Sequence, residues 1–194
     1  KAGSIPKLIL TGISLGTTST FYYLAIQHIP VSIGIVLLMQ TVWMGVVLEM
    51  IILRKIPSTK TTMSVILILF GTVLATNMLV ESTSINWIGI GWGLLAALSY
   101  TFFVFTTNRI AIEMKPIQKT FWMLIGGFAF VIIFSFSSLI VKFDLTIFMK
   151  WGLVLALFGT ILPPILFSLG MPLTGLGLGT ILSSIDIPVS VLMA

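Results

Sequence analysis

Near the end of the sequence, "SSIDIP" (Ser183–Pro188) places a carboxylate and a proline two residues apart inside an apolar stretch. An acid at the centre of a membrane helix costs about 2.5–3.5 kcal/mol on insertion scales, so such acids usually face a cavity or a partner. Pro188 has no amide hydrogen and clashes with the carbonyl four residues back, which loosens the helix beside Asp186. Asp186 therefore has two readings. It is a cavity acid that binds a cationic group or carries a coupling proton, or it is a protonated, hydrogen-bonded acid packed against another helix. Pro163-Pro164 breaks a second apolar run and predicts a kink, either a gating hinge or a fixed bend that aids packing. Gln40, Trp43 and Tyr100 are polar or aromatic residues in further apolar runs. Such side chains offer a ligand apolar area with a polar tip, or else pack between helices and lipid.

Other chemistry is missing. The chain has no cysteine, which excludes disulfides and cysteine metal sites. Its single histidine, His28, sits in a short corner, where a solvated residue is the simpler reading. Asp186 has no second deep aspartate, and no Ser–His arrangement falls within the apolar runs. No catalytic residue, cofactor or metal is expected, and the chain is not read as an enzyme.

The elements that would hold these residues are dictated by composition. Of 194 residues, 58% are hydrophobic and 8% charged, with a mean hydropathy of +1.20. Soluble domains carry about 25% charged residues, so this chain needs lipid as solvent. Apolar runs long enough to span a bilayer, about 20 residues, occur at Leu8–Gln27, Val31–Leu53, Thr61–Val80, Trp87–Ile112, Phe121–Val141, Trp151–Gly170 and Leu173–Ala194. The expectation is an all-α integral membrane protein with seven transmembrane helices, here called segments A to G. Small residues four apart, at Gly12/Gly16 and Gly89/Gly93, predict close helix approach in lipid.

The net charge of +5 is scattered through short connectors, which argues against a nucleic-acid partner. Alternating the connectors across seven spans puts eight Lys and Arg residues on the side where A begins and two on the other. The positive-inside rule then makes the start of A, near Lys7, cytoplasmic. Trp87, Trp92, Trp122 and Trp151 stand at segment starts, as interfacial belts require.

"LGTTSTFYYLAIQHIPVSIGI" (Leu15–Ile35) and "FGTILPPILFSLGMPLTGLGL" (Phe158–Leu178) share a Gly-Thr pair and an apolar-Pro-apolar-Ser/Thr corner, repeated at 142 residues. Pro30 and Pro172 are read as helix starters at these corners. A and F are five spans apart, so a repeat of that length enters the membrane upside down, the architecture of many secondary transporters.

The whole chain resembles the drug/metabolite transporter superfamily, EamA-type. Tyr22–Thr76 is similar to the end of that family's third helix and to its fourth and fifth; Trp87–Ala111 is similar to its sixth; Ser183–Ala194 resembles its ninth. The resemblance implies a ten-helix fold of two inverted five-helix repeats. Residues 1–80 would be the C-terminal part of the first repeat and 87–194 the N-terminal part of the second, in a chain lacking helices one, two and ten. It implies a cavity lined by the fourth and sixth helices among others, with Gln40, Trp43, Tyr100 and Asp186 as substrate contacts. It further implies alternating-access transport, as an exporter, of a small metabolite such as an amino acid or drug-like compound across a bacterial inner membrane. A non-transporting membrane assembly is the alternative, followed by an intramembrane enzyme. At "LRKIPS" (Leu53–Ser58) the sequence departs from the family, because Lys55 stands where a glutamate is common. Cargo, coupling ion and oligomeric state stay open.

Overall fold

The computed structural model describes residues 4–54, 56–75, 86–142, 145–174 and Leu182. Among these residues there is no strand. The helices are α1 (Ile5–Ile26), α2 (Val31–Leu38), α3 (Thr41–Leu53), α4 (Thr59–Ala75), α5 (Trp87–Arg109) and α6 (Pro116–Lys142). A continuous helical run then covers 145–174, with α7 (Leu145–Ile147), α8 (Leu153–Leu155) and α9 (Leu162–Thr174) separated by π-helical turns at Phe148–Gly152 and Ala156–Ile161. Five helices are long and apolar enough to cross a membrane: Ile5–Ile26, Val31–Ile52, Trp87–Arg109, Pro116–Phe136 and Phe148–Gly170. That length and composition mark an integral membrane protein. Thr59–Gly71 is apolar but shorter, and segment G lies outside the described residues except for Leu182.

Helix starts follow local chemistry. Asn86 caps α5 by accepting from the amides of Ile88 (3.0 Å) and Gly89 (3.3 Å). Ser58 Oγ accepts from the Thr61 amide at 3.2 Å ahead of α4. Both satisfy amides that a helix start leaves unpaired. Pro6 and Pro116 stand in the first turns of α1 and α6, where a missing N–H costs nothing. This starts α6 five residues before the expected Phe121.

α1 is the centre of the bundle, packed along both α5 and α6. The approach to α6 is backbone to backbone. A methyl added to Gly12 would overlap the Met123 carbonyl, and one added to Gly126 would overlap the Ile9 carbonyl. Gly16 lies against Gly127 and Phe130 farther along, so α1 and α6 run parallel. α5 is antiparallel to α1: Gly89 meets Ile29 and His28, Trp92 meets Phe21 and Ser99 meets Thr17. α2 and α3 follow α5 in parallel, with Leu37 against Gly93 and Thr41 Oγ1 donating to the Ala97 carbonyl at 3.2 Å. Both glycine pairs singled out in the sequence thus mark close approaches.

Three details depart from the sequence reading. Segment B is interrupted at Met39–Gln40, where a tightened turn replaces one α turn. The run at 145–174 takes in residues expected to be connector, and two residues separate its start from the end of α6. Helix also continues through Met171–Thr174, so Pro172 does not start a new element, whereas Pro30 does precede α2. One lost amide donor is not enough to stop the helix, and Thr174 Oγ1 bonds back to the Gly170 carbonyl at 3.3 Å.

Candidate functional site

A cavity of about 750 Å³ opens between α1, α5 and the final helical run. α1 contributes Leu15, Thr18, Ser19 and Tyr22, α2 contributes Leu38, and α5 contributes Tyr100 and Phe103. Across from them stand Phe158, Gly159, Pro163, Pro164, Phe167 and Gly170, among others. Its size falls within the range of small-molecule sites, about 300–1,000 Å³.

The two walls are built differently. Phe103, Leu8, Val104 and Met123 form a buried cluster that anchors the α1–α5–α6 side, with Tyr100 and Phe167 packed against it. Tyr100 stacks on Phe103 with ring centroids 5.9 Å apart and meets Phe167 edge-on at 6.3 Å. Phe167 therefore lies beside the beginning of α6, while Leu145 follows the end of α6. The final run consequently returns antiparallel to α6, and so to α1.

That opposing wall carries the proline pair. Pro163 and Pro164 cannot donate to the carbonyls of Gly159 and Thr160, and the π-helical turn at Ala156–Ile161 spans those carbonyls and ends just before the prolines. Wide turns of this kind often sit at functional sites. A methyl added to Gly159 or Gly170 would meet no atom within 4 Å, so both glycines border open space.

Polar groups on the α1 wall are hydroxyls already turned toward their own helix. Thr18 Oγ1 donates to the Ser14 carbonyl (2.8 Å), and Ser19 Oγ to that of Leu15 (3.3 Å). Each keeps its lone pairs for a donor in the cavity. The Tyr22 ring edge rests on Gly34 of α2, and its phenol makes no hydrogen bond among the described residues.

Of the residues expected to touch a substrate, Tyr100 lines this cavity; Gln40 and Trp43 do not. Those two serve the interruption of segment B. The tightened turn sends the Gln40 amide to the Leu37 carbonyl and the Val42 amide to that of Met39, which releases the carbonyls of Val36 and Leu38. Gln40 Nε2 takes the first at 3.2 Å, and Thr41 Oγ1 the second at 2.6 Å, sharing its one hydrogen with the Ala97 carbonyl. Trp43 Nε1 then donates to Gln40 Oε1 at 2.8 Å, and the indole packs beside Val42, Val46 and Val65. Irregular backbone at membrane depth needs such internal partners. Asp186 and Pro188 lie outside the described residues.

One residue escaped the sequence reading altogether. Lys119, expected in a solvated connector, is 2% exposed, and its Nζ donates to the Thr107 carbonyl at the end of α5. A cation over exposed C-terminal carbonyls complements the helix dipole. Beside it Thr120 is also 2% exposed, and its hydroxyl has no partner among the described residues. Thr107 Oγ1 in turn meets the Met123 sulfur at 3.6 Å. The only signal in the sequence was the six-residue gap between Arg109 and Pro116, short enough to fold Lys119 back onto α5. Among the described residues no group of His, Cys, Asp and Glu could hold a metal ion.

Comparisons with protein-family models, with curated proteins and with solved structures find no match to this chain.

Proposed function

We propose that the protein is a secondary transporter of the EamA type in the drug/metabolite transporter superfamily, moving a small metabolite by alternating access. The observation that carries the reading is the cavity itself, which opens between a glycine-locked bundle and a proline-bearing wall with a widened turn. The antiparallel course of the final run relative to α1 is the relation that an inverted pairing of segments A and F requires. The different backbone at the two matched corners, turned at Pro30 and helical at Pro172, means that such a pairing rests on the Gly-Thr ends of the repeat rather than on its corners.

In this reading Tyr100 and the α1 hydroxyls contact the solute, Pro163 and Pro164 let the opposite wall move, and Gln40 and Trp43 hold the bend of α2–α3. A cytoplasmic start of α1 in a bacterial inner membrane, helices beyond the present sequence and a cavity role for Asp186 belong to the same proposal.

Proteoliposome flux tests it. The full-length protein is purified, reconstituted and challenged with a panel of labelled amino acids, related metabolites and drug-like compounds. Saturable, protein-dependent flux of at least one compound, lost in Gly159→Leu, is the expected result. A folded protein that moves nothing on the panel, or that cleaves peptides in the membrane without flux, overturns it.

A further inference from the structure

We infer that the end of the bundle carrying Lys7, Arg54, Lys60, Arg109 and Lys115 is a binding surface for the headgroups of anionic phospholipids. Packing brings these residues to one level. α1 and α6 run parallel, α5 runs against them, and α3 runs with α5. The start of α1 (Lys7), the end of α5 (Arg109) and the connector into α6 (Lys115) therefore meet at one end, together with Arg54 after α3. Val65 of α4 packs on Val42 and Val46 of α3, so α4 turns back and leaves Lys60, in its first turn, at that end as well. Each of these basic residues is exposed. Glu113 and the half-buried Glu49 bring negative charge to the same end and are outnumbered. Lys142, which closes α6, and Lys150 mark the opposite end.

What lies between the charges favours a lipid over a soluble anion or an acidic protein. Ile56, between Arg54 and Lys60, is 91% exposed; Ile112 and Ile117, on either side of Lys115, are 59% and 72% exposed. Cations beside bare aliphatic side chains suit the boundary where headgroups meet acyl chains. The helices that begin or end here, Ile5–Ile26, Val31–Ile52, Trp87–Arg109 and Pro116–Phe136, are long enough to cross a membrane, which puts the leaflet within reach of these residues. Basic side chains there lay their stems along apolar surface and extend the charge to the phosphates. Arg109 has its guanidinium over the Phe105 ring, 4.7 Å from the centroid. A guanidinium held that way keeps its N–H fork for phosphate oxygens.

The full-length protein is reconstituted in vesicles, and trace spin-labelled phosphatidylglycerol or phosphatidylcholine reports the lipid held at its surface. Phosphatidylglycerol is expected to be favoured at least about threefold at low salt. The preference shrinks as ionic strength rises from about 0.01 to 1 M, where the Debye length falls from about 30 to 3 Å. Arg109→Gln with Lys115→Gln, and Arg54→Gln with Lys60→Gln, each cut the preference by about half or more. Lys142→Gln with Lys150→Gln leaves it unchanged, and equal unfolding midpoints show that all three double variants are folded. In a cysteine-free background, a fluorophore on Ile56→Cys or Ile117→Cys is quenched by spin labels carried on lipid chains.

Equal association of the two lipids overturns the inference, as does a preference lost in the Lys142 and Lys150 pair and kept in the other two. A preference abolished by inorganic phosphate at constant ionic strength gives the surface to a free anion and overturns it. Fluorophores beyond the reach of the chain labels also overturn it, and leave the isoleucines to a protein partner. The surface rests on the spanning helices and not on the transport reading, which falls separately, on the flux panel.

Discussion

The α1–α6 seam and the final helical run are both apolar and of similar length, yet they are held by opposite means. Along the seam, glycines bring two backbones into contact, and there is no room for one added carbon. Along the final run, Gly159 and Gly170 face open space, two stretches are wound as π-helix, and two prolines follow. Glycine thus means rigidity in one region and vacancy in the other. In lipid, where apolar burial gives little drive for helix association, such backbone fit is the main source of tightness.

The contrast can be broken most directly at the seam. Gly12→Ala, and likewise Gly126→Ala, should destabilise the protein by about 1–3 kcal/mol, the usual range for overpacking. Thermal or denaturant unfolding in detergent reads this, and an unchanged midpoint would mean that α1 and α6 are not in contact. Lys119→Met should cost about 1–3 kcal/mol in the same assay, because a buried carbonyl loses a charged donor. Lys119→Arg should recover only part of it, since the flat guanidinium does not fit the space of an ammonium. Gln40→Leu should cost about 1 kcal/mol, through two hydrogen bonds at the α2–α3 turn. Ala111→Gly should be neutral or stabilising by less than about 1 kcal/mol, because Ala111 holds a φ of 52° that glycine adopts freely. Smallest of all, Gly159→Ala should change stability by less than about 0.5 kcal/mol, the level of a substitution that meets no neighbour. A loss as large as that of Gly12→Ala would erase the distinction between the two regions.

What could be read in advance followed from single-helix patterns. Apolar length located α1, α5 and α6 to within a few residues, and four-residue glycine spacing marked Gly12/Gly16 and Gly89/Gly93 as contact points. Tyr100, singled out for an aromatic face with a polar tip, lines the cavity. Gln40 has the same outward character but serves a backbone irregularity, and no periodicity announces a turn in which Val36 and Leu38 lose their ordinary donors. Lys119 was misplaced for a related reason: charge counting assigns a residue to a connector, while only the folded α5–α6 turn shows that its stem is covered. The proline pair was visible, but the widened turn ahead of it depends on how freed carbonyls are re-paired in three dimensions.

The π-helical turn at Ala156–Ile161 has a geometric consequence. An α-helix advances about 100° per residue, so absorbing one surplus residue into regular winding would swivel one half of the run against the other by roughly that angle. Phe158, within the turn, and Phe167, beyond it, both line the cavity; they would then point in different directions. A local change of pitch, with no unfolding and no long excursion of the chain, is enough to turn one aromatic ring out of the cavity.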